Sequence, residues 1–481
     1  MVRGFRLLER GEIEEIHSST LRLLERTGVE VRNEEALSLL EENGCEVEER
    51  RVRIPGELVE ECLRRAPSKI ELHSRDGERR LLIGGDNVVY NPGSAAIYFL
   101  DYETGEIRRG TSRDLERLVR LADALRHIEA QSTAIVPSDV PEEVADLYRL
   151  YIVLRNSDKP IITGAFSKQG LIDMAEMLNA AVGGAEKLGR RPRAIFDCCP
   201  TSPLIWGDVT AQNLLDCADR GIPAEIIPAP QIGATSPATL AGTLLQSNAE
   251  ILSGVVITQL RRAGAPVIYG GSPTLFDMRY VTARLGAIEA VMTACAGAEI
   301  GRHYGLPTHG YLGLSDSKVV DGQSCFESAI GIIMAALTGV NVVSGPGMLV
   351  EENCQSLEKL VIDDELCGMA YRLLEGIEVE GETLALEVIE RVGPGGHFLA
   401  ERHTMKHFRR ERYIPSDVVC RLTVDAWRKA GSKDILTRAR ERVEKLLREH
   451  QPKPMPEERA QALEEVLDSI FQRYGLKRPE V

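Results

Sequence analysis

"KPIITGAF", residues 159–166, is a short apolar run with no alternation, closing on small residues. A strand that is apolar on both faces is buried on both, as strands of parallel sheets are. Runs of the same kind recur at 129–136 (EAQSTAIV), 192–199 (PRAIFDCC), 224–230 (AEIIPAP), 265–272 (APVIYGGS), 307–313 (PTHGYLG) and 340–347 (VNVVSGPG). RVGPGGHF at 391–398 is a candidate eighth. Helical segments such as PEEVADLYRLYIVLRN (141–156) and ESAIGIIMAALTG (327–339) lie between them. Seven or eight such units predict an α/β fold of the (β/α)8 TIM-barrel type rather than an open doubly wound sheet. No G-x-G-x-x-G follows the first run, which also argues against a dinucleotide-binding domain.

The flanks read differently. EIEEIHSSTLRLLERTG (12–28) spaces its apolar residues as an amphipathic helix that stops at Gly28, and IPGELVEECLRRAP (54–67) opens a second helix after Pro55. In NVVYNPGSAAIYFLDYETGEIRRG (87–110) the period changes to two, so a hairpin with ETGE as its turn is expected. The tail 434–475 reads as two charged amphipathic helices broken at prolines, suited to packing on a barrel face or a partner subunit. The expected division is an N-terminal α+β extension (1–115), a barrel catalytic domain (116–415) and a C-terminal helical extension (416–481).

The bulk numbers narrow the function. A formal charge of −15 over 481 residues argues against nucleic acid, whose phosphates need a basic surface. No apolar run is read as long enough to span a membrane, and the charged N-terminus does not suit a secretory signal, so a cytoplasmic protein is expected. Ten cysteines without a C-x-x-C pair suit buried, reduced thiols.

In a parallel barrel the chemistry sits on the loops after the strands. Those loops are rich in glycine and carry Trp206, Tyr269, Phe276, Tyr311 and Phe398. Aromatic faces attract a quaternary ammonium; the alternative is that these rings cap the barrel core. In GATSPATLAG, Ser236 stands at an expected N-cap with Pro237 at the first helical position. That helix end could hold a carboxylate, or the cap could be an ordinary one. In SDSKVVDGQSCFES (315–328), Asp316, Lys318, Asp321, Gln323 and Glu327 crowd one loop. Lys318 either holds a substrate carboxylate or pairs with Asp316 or Asp321.

GPGGHFLAERHTMKHF (393–408) holds three histidines. His403 and His407 share a helix face, but H-x-x-x-H without an adjacent Glu, amid Lys406, Arg409, Arg410 and Arg412, does not make a zinc site. No metal site is expected, and His397, in the glycine-rich loop, is the better candidate for a substrate carboxylate. The chain has no P-loop, no G-x-S-x-G elbow and no D-x-H-x-x-G cobalamin signature, so a corrinoid, if used, arrives on another protein.

Several stretches together carry a resemblance: NPGSAAIYFLDYETGEIRRGT, KPIITGAFS, IGATSPATLAGTLLQSNAEILSGVVITQLRRAGAPVIYG, SDSKVVDGQSCFES, GVNVVSGPGMLVEEN and GPGGHFLAERHTMKHFR. Over nearly its whole length the chain resembles the trimethylamine/quaternary-amine corrinoid methyltransferase family. The resemblance implies a TIM barrel that passes a methyl group from an amine to the Co(I) form of a cognate corrinoid protein, with no cofactor bound tightly to this chain. Members acting on trimethylamine carry pyrrolysine near the seventh strand; GVNVVSGPGM has only ordinary residues. That departure points to a quaternary amine, glycine betaine or a similar betaine, whose charged nitrogen already activates its methyl. The expected substrate-binding set, from loop position and charge, is Trp206, Ser236, His309, Tyr311, Lys318, Gln323, Glu327, His397 and Phe398, in a homo-oligomer. Two other readings stay open: a zinc-dependent barrel methyltransferase or hydrolase, and a non-catalytic betaine-binding barrel.

Overall fold

Eight short strands and the helices that follow them form the centre of the molecule. The computed structural model describes residues 5–479. In chain order the elements are β1 (Val89–Asn91), α1 (Ser112–Ala124), β2 (Gln131–Ser132), α2 (Ala145–Asn156), β3 (Ile161–Thr163), α3 (Lys168–Val182), β4 (Ala194–Cys198) and α4 (Asp208–Arg220). They continue as β5 (Ala224–Ile226), α5 (Leu240–Arg261), β6 (Val267–Tyr269), α6 (Ile288–His303), β7 (His309–Tyr311), α7 (Gly322–Thr338), β8 (Val342–Ser344) and α8 (Leu357–Glu375). β2 to β6 pair in parallel in sequence order. A parallel bridge between Tyr269 and Thr308 leads on to β7, which pairs with β8, and β8 pairs with β1. The N–H groups of Glu129 and Ala130 donate to the Tyr90 carbonyl at 3.0 and 3.3 Å, bringing β1 beside β2. This is the (β/α)8 barrel that the alternation of runs and helices predicts.

One strand comes from an unexpected place. The first barrel strand, VYN at 89–91, lies in the segment read as hairpin, N-terminal to residue 115. The hairpin exists beside it, at 98–100 and 107–109, and its alternation hid the short continuous run before it. The candidate eighth run, 391–398, is not a strand: its first two residues end a helix (Leu386–Val392) and the rest is a largely exposed loop, in which Pro394 has no N–H to give a ladder.

The barrel is dry at one end. Val89, Ala130, Ile162, Ile195, Ile268 and Val342 point inward and form one buried cluster with Ile70, Leu72 and Ile83. Those last three belong to an antiparallel hairpin (70–73 with 80–83) that plugs the N-terminal ends of the strands. Each such side chain contributes about 1.5–3 kcal/mol on burial, so the plug is a stable floor. A site can therefore open only at the C-terminal ends.

The N-terminal helices 10–26, 34–42 and 56–65 all pack on α5. Covered on both sides, α5 is buried over most of its length, with Gln246, Asn248, Glu250 and Gln259 among its buried residues. It is long and apolar enough to cross a membrane, contrary to the sequence expectation, but 72% of that stretch is buried in the fold, as in a core helix. The tail helices 435–449 and 457–473 are broken at the prolines as expected; the first packs on α8 and α1, the second on α3. All ten cysteines are free, and seven are buried.

Trp206 belongs to this framework. It lies in a two-residue strand paired in parallel with residues 29–31, is 1% exposed, and donates its indole N–H to Ser253 Oγ on α5 at 2.9 Å. A Cβ on Gly254 would meet its ring at 2.6 Å, so glycine is what lets the indole close on α5. The structure thus places Trp206 between the N-terminal extension and the barrel, not in the mouth. Trp206→Ala is expected to destabilise the fold by about 3–5 kcal/mol, seen as a lower midpoint in urea, with KM unchanged in protein that remains folded.

Candidate active site

Two residues further along the inward-facing strands, the chemistry switches. Val89, Ala130, Ile162, Ile195, Ile268 and Val342 of the floor are followed at i+2 by Asn91, Ser132, Gly164, Asp197, Gly270 and Ser344. Residues two apart on a strand share a face, so these line the chamber above the floor. β5 adds Glu225, level with Asp197 and Ile268 in the ladder, and β7 adds His309 and Tyr311.

Glu225 and His309 are fully buried and stand 2.5 Å apart, Oε1 to Nδ1, outside hydrogen-bond geometry. The other ring nitrogen of His309 lies 2.7 Å from Ser344 Oγ, which donates to Asn91 Oδ1 at 3.0 Å. The edge of His309 meets Tyr311, ring centroids 5.0 Å apart, and the Tyr311 hydroxyl lies 3.2 Å from Ser94 Oγ. Above this layer Asp197, Tyr311 and Glu352 are half-buried and Cys199 is exposed. Side chains that water reaches at the strand ends mark an open mouth.

The chamber is acidic. Burial, reinforced by the charges of Glu225 and Glu352, pushes the Asp197 carboxyl well above the usual carboxylate range, against the pull of Arg149. Burial pushes Glu352 to about 8. Burial and the charges of the same three acids raise the Tyr311 phenol, so it stays protonated. A buried cation nearby, Arg149, donates to the carbonyls of Thr133 and Gly164 at 3.0 and 3.2 Å. Its guanidinium lies 4.5 Å from the ring centre of Phe166, which is 51% exposed.

Glu352 arrives on a strained loop. Val350, Glu351 and Glu352 have φ of 54°, 50° and 72°, three consecutive non-glycine residues in the left-handed region. Each costs about 1–2 kcal/mol, so something must hold them. Glu351 pairs with Arg284 and with Lys318 Nζ, and Val350 N–H donates to the Ser317 carbonyl at 3.0 Å. Backbone strain held in place at a chamber wall is characteristic of functional sites.

The structure sorts the expected residues. His309 and Tyr311 line the chamber. Lys318 pairs with Glu351, not with the Asp316 or Asp321 carboxylates, although its ammonium also reaches the Asp316 carbonyl at 2.7 Å. Gln323 donates to Glu327 at 2.9 Å, and Glu327 accepts from the Asp316 N–H at 2.8 Å, tying the 315–327 loop together. Ser236 is not an N-cap: α5 starts at Leu240 with Thr239 as its cap, and Ser236 Oγ meets Thr243 Oγ1 at 2.8 Å. With β1 supplying the remaining strand, His397 and Phe398 fall in an exposed segment beyond α8 rather than at a strand end. His403 and His407 stack at 4.4 Å, and both contact Glu382. Among the described residues no three His, Cys, Asp or Glu side chains converge as a metal site. His397→Ala is expected to leave kcat/KM within about twofold of wild type, as for a surface change; a tenfold loss would bring the loop back to the site.

Asp197, Glu225 and Glu352 lie outside the set expected from the sequence. The first two had a signal: an acid inside an apolar strand run, in AIFDCC and in AEIIPAP, is rarely buried without a task.

The comparisons with known proteins agree with this architecture. The family model for trimethylamine methyltransferase (MTTB) matches residues 1–473. A trimethylamine methyltransferase MttB of Desulfitobacterium hafniense (strain DSM 10664 / DCB-2) is 34% identical over 427 residues, 89% of this chain and 86% of the relative. A glycine betaine methyltransferase of Desulfitobacterium hafniense (strain Y51) is 35% identical over 429 residues, 88% of this chain and 89% of the relative. Among solved structures, the monomethylamine methyltransferase MtmB of Methanosarcina barkeri superimposes with a TM-score of 0.54 at 11% identity, covering 99% of this chain and 90% of that one, a likeness of fold.

Proposed function

The chain belongs to the trimethylamine methyltransferase family, and from that premise we propose that it takes a methyl group from a betaine and delivers it to a corrinoid carried by a separate protein. The observation that carries this reading is the acidic chamber. The charges of Glu225 and Glu352 are felt at Asp197, and the cations close by, Arg149, Arg284 and Lys318, are already engaged. Such a space suits a permanently charged ammonium, and the face of Tyr311 adds about 0.5–2 kcal/mol to its hold.

The similarity to a glycine betaine methyltransferase supports a betaine among quaternary amines. So does the run GVNVVSGPGM, composed of ordinary residues, since a quaternary nitrogen needs no further activation of its methyl. The anionic end of the substrate would face the hydroxyls of Ser94 and Tyr311, rather than Lys318 or His397.

The residues of this chain have three tasks. They desolvate the substrate above a dry floor, point one methyl out of the mouth, and hold the ammonium until its charge is lost. The corrinoid supplies the methyl acceptor when its carrier is docked. An open mouth with Cys199 exposed and Asp197 half-buried fits an acceptor that comes from outside. Once the methyl has left, the amine is neutral and the acids no longer attract it, which favours release. Strong binding of the cation alone would deepen the ground state. Acids held partly protonated by burial limit that penalty.

A direct test compares glycine betaine with 3,3-dimethylbutanoate, the isostere with carbon in place of the ammonium nitrogen, by calorimetric titration. The betaine is expected to bind at least about 30-fold more tightly, about 2 kcal/mol. Equal affinities would remove the cation from the recognition.

A further inference from the structure

Residues 377–411 leave the body of the protein and return to it without a core of their own. In this stretch of 35 residues, only His407 is buried. Nine large apolar side chains are exposed there, from Phe398 at 44% to Ile377 at 88%. Its helices, 381–384, 386–392 and 402–407, are each shorter than two turns or barely reach them. Helices that short do not hold in water without something packed on them. Nine exposed apolar side chains within 35 residues mark a contact surface.

Its position tells which contact. α8 starts beside the mouth and runs back toward the floor, where the Tyr371 hydroxyl donates to the Val88 carbonyl at 3.1 Å and to Glu129 at 2.7 Å, just before β1 and β2 begin. The arm starts two residues beyond the Glu375 end of this helix. It comes back through Glu411, whose carbonyl accepts from Arg372, and Tyr413, whose hydroxyl donates to Glu365 at 2.7 Å. The arm is thus rooted at the floor end, away from the mouth that a methyl acceptor has to reach.

Its charges tell what the partner is. Residues 378–390 carry five acids and no base; residues 391–412 carry six bases and two acids. Within the arm Glu378 pairs with Arg410, Glu382 with Lys406 and Glu401 with Arg391. Among the described residues Glu380, Glu387 and Glu390 on one limb, and Arg402 and Arg409 on the other, have no ionic partner within 4 Å. A two-fold axis that sets each limb against the opposite limb of its copy matches both sets of charges at once.

We propose that this arm is the dimerisation element of the protein, closing about a two-fold axis on the same arm of a second copy, acidic limb against basic limb. Nine large apolar side chains cover an area on the order of the ~800 Å² per partner found in stable interfaces. Pairing supplies the short helices with the core they lack. The patch, not the charge, carries the affinity; the charges fix the register.

Light scattering on the full chain at tens of micromolar, coupled to size exclusion, tests this. The wild type is expected at twice the 53.0 kDa of one chain. Leu386→Asp with Leu399→Asp is expected to give a single chain of 53.0 kDa with an unchanged circular dichroism spectrum. Glu387→Lys with Glu390→Lys is expected to weaken the dimer at least tenfold at low salt, and adding Arg402→Glu and Arg409→Glu in the same chain is expected to restore it. A wild type that runs as one chain overturns the proposal. So does a dimer that survives the two aspartates, or a pair of aspartates that abolishes binding of a corrinoid protein while the dimer persists. Failure of the fourfold variant to recover what the first two reversals lost overturns the pairing of acidic with basic limb.

Discussion

Glu225→Gln is expected to lower kcat/KM for a quaternary amine by about 100-fold, most of it as a rise in KM. The substitution keeps the shape of the side chain and removes one negative charge from the chamber wall. A unit charge about 5 Å from an ammonium, at an effective dielectric of about 20, is worth about 3 kcal/mol. That energy corresponds to a little over 100-fold in affinity. The same change leaves His309 without its carboxylate neighbour at 2.5 Å, so a smaller fall in kcat is expected as the ring loses its fixed direction against Ser344. Steady-state kinetics with saturating methyl acceptor separate the two parameters. A mutant with wild-type KM would mean that Glu225 serves the fold rather than the substrate.

The second large effect is one of pH. The Glu352 carboxyl is pushed to about 8 by burial, so in the empty chamber it holds its proton at neutrality. A bound cation stabilises the ionised form, so binding expels that proton. Apparent affinity is therefore expected to rise with pH, approaching tenfold per unit between about 6 and 8, and to level off above 8. Glu352→Gln should flatten the profile at the weak, low-pH value. Stability runs the other way. The folded protein keeps a proton that the unfolded chain releases at the ordinary carboxylate pKa, so this group favours folding most below that value. The contribution is lost as pH rises toward 8 and beyond. Glu352→Gln is thus expected to raise the melting temperature at pH 8–9 while impairing binding, the usual exchange of stability for function. A flat wild-type profile, or a variant no more stable at pH 9, would detach Glu352 from the chamber.

Much of the barrel could be read in the chain because parallel strands buried on both faces leave continuous apolar runs. Seven of the eight strands lie in such runs, from EAQSTAIV to VNVVSGPG. The eighth, 89–91, did not stand out, being three residues long beside an alternating hairpin. The candidate run 391–398 took its place because glycine-rich loops follow both real and apparent strands. The site was less legible for a related reason. Barrel chemistry is expected on the loops after each strand, whereas Asp197 and Glu225 sit on the strands themselves, where the inward face changes from apolar floor to polar chamber over two residues. Glu352 depends on three left-handed residues in a row, for which Val350, Glu351 and Glu352 give no compositional sign. Trp206 looked like a loop aromatic because its role is set by a long-range pairing with residues 29–31.

The central claim is that this chamber delivers the methyl of a quaternary ammonium to a corrinoid borne on another protein. The most direct measurement mixes the protein with a reduced corrinoid protein and follows its visible absorbance as glycine betaine, other betaines, or trimethylamine is added. Conversion of the reduced to the methylated corrinoid with a betaine, and little or none with trimethylamine, is the predicted result. Conversion with trimethylamine but with none of the betaines would contradict it.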